Sequence, residues 1–273
     1  MDFTPTPKNH PILRLSKERI AKLTALLLET LNERRTTRAK LQKLLGKLNF
    51  AHTAVLGKYA SATLRPLYAL TSMGTEASRL TINKEAATAL RWWIRALQTA
   101  APRFISRPCS RVDIRIYSDA EGSGGCAALL FHGKLPNPTL LKRRVGAQLV
   151  DELSASTSAI YILEMYAMVA AVTSVSARVP TNLLLFMDND AAAQALIKGS
   201  ASNEQALLLI KLFWNHVASN HLLVWIERVD SGANPADAPS RGLVVRPTPR
   251  EIRPLSSFHS LINRAKTTLF QGL

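Results

Sequence analysis

Residues 114–131, IRIYSDAEGSGGCAALLF, contain the clearest strand pattern of the chain. Ile114 and Ile116 alternate with Arg115 and Tyr117, which is the period of a half-buried β-strand, and the alternation ends at Asp119. The glycines that follow favour a tight turn, after which the apolar run CAALLF returns as a second strand. The stretch therefore predicts a β-hairpin with an acidic residue at the end of its first strand.

The sequence after this hairpin alternates between predicted helices and strands. A weaker third strand is predicted at residues 145–150, and the periodicity then indicates a helix at 158–176, a strand at 183–187, helices at 191–197 and 203–218, and a strand at 222–227. Three strands in a meander followed by alternating helix and strand predict an α/β fold, a mixed sheet flanked by helices.

The sequence before the hairpin has a different character. Residues 1–15 contain three prolines and predict an extended arm, whereas residues 16–100 predict a small all-helical domain with Ser16 capping its first helix and Asn83 its third. The stretch 101–112, again rich in proline, predicts a linker. The second domain then occupies residues 113–242, and residues 243–273 form a C-terminal tail.

Positive charge is concentrated in this first part of the chain. The net charge is +16, of which residues 1–111 carry +14 (20 Lys and Arg against 6 Asp and Glu). A surface so biased favours a polyanion, because each neutralised phosphate releases counterions. Ordinary solubility charge on helix faces is the alternative. The candidate nucleic-acid contacts are Arg34, Arg35, Arg38, Lys40, Lys43, Lys47 and Lys58.

Gly46 interrupts the second predicted helix of this basic domain. A glycine inside a helix costs about 1 kcal/mol relative to alanine, so its presence needs an explanation. Close packing against another part of the chain and contact with a phosphate both remain open.

Composition limits the classes of protein to consider. With 273 residues and 47% hydrophobic content, the chain can form one large or two modest domains with real cores. We expect no membrane association and an intracellular location, cytoplasmic or nuclear, because no apolar run approaches about 18 residues and the N-terminus resembles no signal peptide. Cys109 and Cys126 have no metal-ligand spacing and are expected to be reduced.

Four acidic residues lie where such a fold can bring them together. Asp119 ends the first predicted strand, and Glu164 is the only charged residue between positions 155 and 177. Asp188 follows the apolar strand LLLFM, and Asp237 lies in the turn NPADAPSR. Phosphodiester hydrolysis with two divalent metal ions requires such a set of hard oxygen ligands.

Each of these positions also has a purely structural explanation. The alternatives are an Asx-turn at Asp119, an exposed helix stripe at Glu164 and helix capping at Asp237. Glu121 competes with Asp119 as a ligand, but the strand end favours Asp119, and Asp190 competes with Asp188 or caps the helix that follows. No single position is decisive, but the ordered set favours a metal site.

The motifs IYSDAEGSGG, ILEMYAMVAAV, FMDNDAAAQAL and NPADAPSRG resemble the ribonuclease H domain of reverse transcriptases. The similarity is greatest to DIRS-like tyrosine-recombinase retrotransposons, and hepadnaviral polymerases have a similar Asn-Pro-Ala-Asp turn. Upstream, LQKLLGKLNFAHTAVLGKYASATLRPLYAL is similar to the thumb and connection segment that follows the polymerase palm in these proteins. The resemblance covers residues 14–242.

The resemblance implies a ribonuclease H-like five-stranded sheet and a role for each carboxylate. Asp119 corresponds to the Asp that bridges two Mg²⁺ ions, for which Mn²⁺ is a possible substitute, and Asp188 and Asp237 correspond to further metal ligands. Glu164 corresponds to the ligand that also approaches the ribose 2′-hydroxyl, which selects the RNA strand of an RNA/DNA hybrid.

Two departures and one absence qualify this resemblance. Glu121 stands where a small residue is expected, and residues 229–236 contain no histidine, so no histidine is assigned to the site. The sequence has no Asp-Asp pair, and therefore no polymerase active site of the palm type.

Two hypotheses of different classes follow. The first is a metal-dependent endonuclease that cleaves the RNA strand of hybrids, as part of or derived from a retroelement reverse transcriptase, with a palm domain as a possible partner. The second is a non-catalytic nucleic-acid-binding remnant of such an enzyme. Retention of all four carboxylates favours the enzyme, because acidic groups facing phosphate do not help a pure binder.

Overall fold

The computed structural model of the chain describes residues 2–5, 11–55, 57–73, 78–99, 103–104, 111–133, 135–155, 158–177, 179 and 181–271. Two compact units are present, residues 1–108 with 267–273 and residues 109–266. Cys109 and parts of the predicted arm and linker lie outside the described residues.

The first unit is mainly helical, as its apolar periodicity predicts, but it is not all-helical, because Arg35–Thr37 pairs antiparallel with Arg79–Thr81 in a two-stranded sheet. Ser16 Oγ accepts a hydrogen bond from the Arg19 amide at 3.4 Å, and Asn83 Oδ1 accepts one from the Ala86 amide at 2.9 Å, so both predicted caps are formed. The elements are β1 (Asp2–Pro5), β2 (Pro11–Arg14), α1 (Lys17–Glu33), β3 (Arg35–Thr37), α2 (Arg38–Ala51), α3 (Lys58–Ala62), α4 (Arg65–Thr71), β4 (Arg79–Thr81), α5 (Lys84–Thr99) and β5 (Arg103–Phe104).

The remaining elements alternate between strand and helix. They are β6 (Ile114–Ala120), β7 (Gly125–His132), β8 (Thr139–Arg144), α6 (Ala147–Ser154), α7 (Ala159–Thr173), β9 (Thr181–Met187), α8 (Asp190–Lys198), α9 (Glu204–Ser219), β10 (Leu222–Arg228), α10 (Asp237–Ser240), β11 (Glu251–Pro254) and α11 (Phe258–Gln271).

The strands of the second unit form one six-stranded mixed sheet in the order β10-β9-β6-β7-β8-β11. Strands β6, β7 and β8 form the antiparallel meander, β9 pairs parallel with β6, and β10 pairs parallel with β9. Strands β6 to β10 therefore have the arrangement of a ribonuclease H-like sheet. This confirms the predicted fold class.

The structure corrects one strand and adds another. The third strand is β8, not the predicted segment 145–150, which instead contains the start of α6. The first three residues of β8 are buried, only two of them, Leu140 and Leu141, are apolar, and the three basic residues that follow hide the strand in the sequence pattern. Beyond residue 242 the chain continues into β11, which pairs with β8, and Leu255, Phe258 and Leu261 are buried.

Helix α7 is the central helix of this unit. Apolar residues surround its whole circumference and are buried against β6, β7 and α9, as expected of a helix that is hydrophobic on all sides. No single helix among the described residues is long and apolar enough to cross a membrane. Within the described part of the chain, only α6 and α7 taken together reach that length and composition. They are bent by 119° relative to each other, and the break between them contains residues that the structure does not describe.

Candidate metal centre

Asp119 lies near the end of β6, the first strand of the meander and a central strand of the six-stranded sheet, and is 3% exposed. Its pairing partner on β7 is Ala127, a small residue. The Ser240 hydroxyl of α10 donates a short hydrogen bond to Asp119 Oδ2. Burial raises the pKa of Asp119 to about 6, against the effect of the Ser240 hydrogen bond, and the charges of Asp188 and Asp237 add to the rise.

Glu164 projects from α7 toward the same end of the sheet and is also 3% exposed. Its Oε1 accepts a hydrogen bond from the Ala120 amide at 3.3 Å, while its Oε2 is buried without a hydrogen-bond partner among the described residues. Burial, followed by the charges of Asp119 and Asp188, raises the pKa of Glu164 to about 9. An exposed helix stripe therefore does not explain this residue.

Asp188 follows β9, which lies next to β6 in the sheet. Parallel neighbouring strands end at the same edge of the sheet, so the register of β6 and β9 brings Asp188 beside Asp119. One carboxylate oxygen from each of Asp119, Glu164 and Asp188 lies within 4.8 Å of the other two. The sheet and α7 thus assemble three of the four predicted carboxylates into one cluster.

Asp237, the fourth predicted carboxylate, begins α10 and lines the same cavity as the cluster. Its Oδ1 accepts from Arg241 Nε and lies equally close to Arg241 Nη2, 2.9 Å in each case. Asp237 makes no side-chain cap to α10, so helix capping does not explain it. The cavity has a volume of about 500 Å³ and is open to solvent, which leaves space for cations with their water ligands.

The two rival acidic residues have other partners. Glu121 also lines the cavity, but its Oε1 lies 2.8 Å from Arg144 Nη2 and accepts from the Ser123 hydroxyl at 2.5 Å. Asp190 lies in the first turn of α8 and forms an exposed ion pair with Arg228 at 3.4 Å. Asn189, rather than either aspartate, caps α8 by accepting from the Ala192 amide.

The turn NPADAPSR contains contacts that sequence reasoning missed. Buried Asn234 donates from Nδ2 to the Ser118 carbonyl at 2.9 Å and accepts from the Ala236 amide at 3.1 Å. Ser240 is buried beside Asp119, and its carbonyl packs against Gly125, where an added Cβ would lie 2.0 Å from it. The sequence marks this turn, but its pattern points only to the aspartate and not to Asn234 or Ser240.

The chemistry of the donor set fits a divalent cation. Three clustered carboxylates, two of them buried, repel one another when ionised, and one oxygen of Glu164 accepts no hydrogen bond within the described part of the chain. Hard oxygen ligands of this kind bind Mg²⁺, Mn²⁺ or Ca²⁺, and a bound cation would supply the missing positive charge. The cluster can therefore hold divalent metal ions.

The predicted nucleic-acid contacts all lie in the first unit. Arg34 ends α1 in the left-handed conformation with φ of 53°, and all the candidates except half-buried Arg38 are exposed. Gly46 is exposed on α2, and a Cβ added there would meet no atom of the described chain within 4 Å. Packing within the described part of the chain therefore does not explain this glycine.

Comparisons with known proteins give limited similarity. No model of a protein family matches the chain, and neither does any curated protein. Among solved structures, a foamy viral protease-reverse transcriptase in complex with double-stranded DNA matches 82% of this chain and 36% of its own length, with 17% identity and a TM-score of 0.32. The same kind of protein in complex with an RNA/DNA hybrid matches 82% and 29%, with 15% identity and a TM-score of 0.33.

The chain thus spans about a third of the length of these structures. Their low TM-scores add no argument about the site. The ribonuclease H-like assignment rests on the strand order of the chain's own sheet.

Proposed function

We propose that this protein is a divalent-metal-dependent endonuclease that cleaves the RNA strand of RNA/DNA hybrids. The convergence of Asp119, Glu164 and Asp188 at one end of the sheet carries the proposal. These residues come from three elements separated by many positions in sequence, and two of them are buried despite the cost of burying carboxylates. Such a cost is typical of a functional site.

In this proposal four carboxylates together bind the metal ions. Asp119, Glu164, Asp188 and Asp237 hold two Mg²⁺ ions, or Mn²⁺ in their place. When bound, the ions activate a water molecule and stabilise the charge on the leaving oxygen. Glu164 also lies close enough to the cavity to contact a ribose 2′-hydroxyl, a group that DNA lacks, and this contact selects RNA.

The basic face of α2 binds the hybrid in this proposal. Lys43, Gly46 and Lys47 are exposed at successive positions of one helical face, and α2 contains no acidic residue. Without a Cβ at Gly46, a phosphate group can approach the helix backbone between the two lysines. Lysine contacts to phosphate supply affinity without sequence preference.

A non-catalytic nucleic-acid-binding role fits the acidic cluster less well. A binder of phosphate backbones gains nothing from buried carboxylates that lower stability and repel the ligand. The proposed enzyme is a part or a descendant of a retroelement reverse transcriptase, of the DIRS-like or hepadnaviral kind, and a polymerase palm domain is its proposed partner. The ribonuclease H-like sheet and the motifs around its carboxylates support this origin.

The test uses a labelled RNA/DNA hybrid with Mg²⁺ and then with EDTA. We expect cleavage of the RNA strand only with metal, and at least 100-fold slower cleavage by Asp188→Asn with nearly unchanged hybrid binding, since this change removes a ligand charge inside the cluster. Asp190→Asn is the matched control, because Asp190 lies two positions away and pairs with Arg228. Full activity of Asp188→Asn, or metal-independent cleavage, contradicts the proposal.

A further inference from the structure

Ser240 makes a contact that the metal-ligand set does not explain. Its hydroxyl lies within hydrogen-bond distance of Asp119 Oδ2, 121 positions earlier in the chain, and of the Asp237 carbonyl at 2.7 Å. One residue thus contacts the side chain of the first carboxylate and the backbone of the fourth. Ser240 itself is 3% exposed, so no water molecule can easily replace its hydroxyl.

The position of Ser240 is fixed by the elements around it. Its amide donates to the Ala236 carbonyl at 3.1 Å, and its own carbonyl lies so close to Gly125 of β7 that only glycine leaves room for it. The start of the same turn is held by Asn234, whose side chain donates to the carbonyl of Ser118, the residue before Asp119. The hydroxyl therefore points at Asp119 from a rigid support.

We propose that Ser240 is a positioning residue that holds the carboxylate of Asp119 in the orientation that binds metal and couples it to the turn that carries Asp237. This inference rests on the proposed function. Asp119 has two rotatable side-chain bonds, and nothing on β7 fixes its rotation, since its neighbour across the strands is Ala127. A hydrogen bond to one oxygen fixes the plane of the carboxylate, as hydrogen bonds behind metal ligands do generally.

The experiment compares Ser240→Ala with wild type in two assays. Mn²⁺ binding to the full chain is followed by isothermal titration calorimetry without nucleic acid, and hybrid cleavage is followed as a function of Mg²⁺ concentration. Loss of a hydrogen bond to a metal ligand typically weakens metal affinity or activity 10- to 100-fold. We expect a shift of this size in the Mn²⁺ dissociation constant and the Mg²⁺ midpoint, with KM for the hybrid unchanged.

Two further variants separate positioning from a structural role. Ser174→Ala is the control. The Ser174 hydroxyl donates to the carbonyl of Ala171, three residues earlier, at 2.6 Å, which matches the contact of Ser240 with the Asp237 carbonyl but involves no carboxylate. Metal binding should therefore be unchanged in this variant. Ser240→Thr keeps the hydroxyl and should recover most of the metal affinity that alanine loses. If Ser240→Ala unfolds, Ser240→Cys fills the space with a somewhat larger group that is a weak hydrogen-bond donor, and it carries the same expectation.

The outcomes distinguish this inference from the proposed function. If Ser240→Ala folds and has the Mn²⁺ affinity and the Mg²⁺ midpoint of wild type, the positioning role is overturned. The proposed nuclease function still holds in that case, provided that wild type cleaves the hybrid. A threonine variant as weak as alanine also overturns it. If wild type neither binds Mn²⁺ nor cleaves hybrid, both proposals fail together.

Discussion

At the scale of single residues, Glu164 shows the conflict between stability and function most clearly. It is buried in a helix whose other residues are uncharged, and one of its oxygens has no hydrogen-bond partner among the described residues. Such a group resists ionisation, because the interior solvates the charge less well than water does. The fold therefore tolerates Glu164 at a cost in stability that a cation bound to the folded state would offset.

This residue gives a pH prediction for the metal-free protein. The pKa of Glu164 rises from 4.5 in the unfolded chain to about 9 in the fold, so between these values the folded state keeps a proton that the unfolded state has lost. The unfolded state then binds fewer protons, and the free energy of unfolding falls as pH rises. Asp119, with its pKa raised from 3.8 to about 6, adds to the fall at the acidic end.

Thermal unfolding in EDTA between pH 5 and 8.5 checks this prediction. We expect the melting temperature to decrease with pH, and Glu164→Gln to reduce the slope and to be more stable than wild type at pH 8. Glu152→Gln, an exposed change in α6, is the control and should follow wild type. A wild-type melting temperature that rises across this range contradicts the assignment of a buried, protonated Glu164.

Some residues of the site could be predicted from the sequence, and others could not. Glu164 was predictable because a lone charge in an apolar helix stands out, and Asp119 and Asp188 were predictable because each follows an apolar strand. Ser240 was not, because its importance comes from a contact with a residue 121 positions away, and no local pattern reports such a contact. The strand end already favoured Asp119 over Glu121, and the structure adds that Glu121 pairs with Arg144.

At the scale of elements, the packing of α10 on the hairpin determines the geometry of the site. Gly125 begins β7 at the point where the end of α10 lies against the strand, and a Cβ there would meet the Ser240 carbonyl at 2.0 Å. The Ser240 oxygen belongs to the backbone, so it cannot move aside as easily as the side chain of Glu121, whose Oε1 would lie 2.7 Å from the same Cβ. We infer that any larger residue at 125 displaces α10, and with it Asp237.

Gly125→Ala tests this packing. We expect a loss of about 1–3 kcal/mol in the free energy of unfolding, as for other overpacked sites, together with slower hybrid cleavage. Gly122→Ala is the matched control in the same turn, since a Cβ there meets no described atom within 4 Å, and it should stay within about 0.5 kcal/mol of wild type. Equal urea midpoints for the two variants would show that α10 does not press on Gly125.

The elements that the sequence missed share a physical cause. Strand β8 buries its first three residues and exposes its last three basic ones, so it has neither alternation nor a long apolar run. Strand β11 lies at the sheet edge, is only four residues long and ends in Pro254, which a central strand would not accommodate. Both strands are specified by pairing with a neighbour rather than by their own periodicity.

At the scale of the whole molecule, the two parts of the chain differ in charge. Residues 1–111 carry +14, whereas the remaining residues carry +2 and contain the acidic cluster. This separation fits a division in which one part holds the phosphate backbone and the other holds metal ions. Affinity for the hybrid should then depend on salt mainly through the first part.

Replacing Lys43 and Lys47 together by Gln tests that division of charge. Each lost phosphate contact reduces the slope of log K against log salt concentration by about 0.9, so we expect a decrease of about 1.8 with both lysines removed. The control replaces Lys17 and Lys84, two exposed lysines that begin α1 and α5, with the same change in net charge. Fluorescence anisotropy of a labelled hybrid in EDTA, from 50 to about 300 mM salt, measures both slopes without cleavage.

If the two double variants lower the slope equally, net charge alone explains the binding and α2 does not contact the hybrid. A decrease confined to Lys43 and Lys47, with unchanged cleavage of bound hybrid at saturation, places the phosphate contacts on α2 and the chemistry elsewhere.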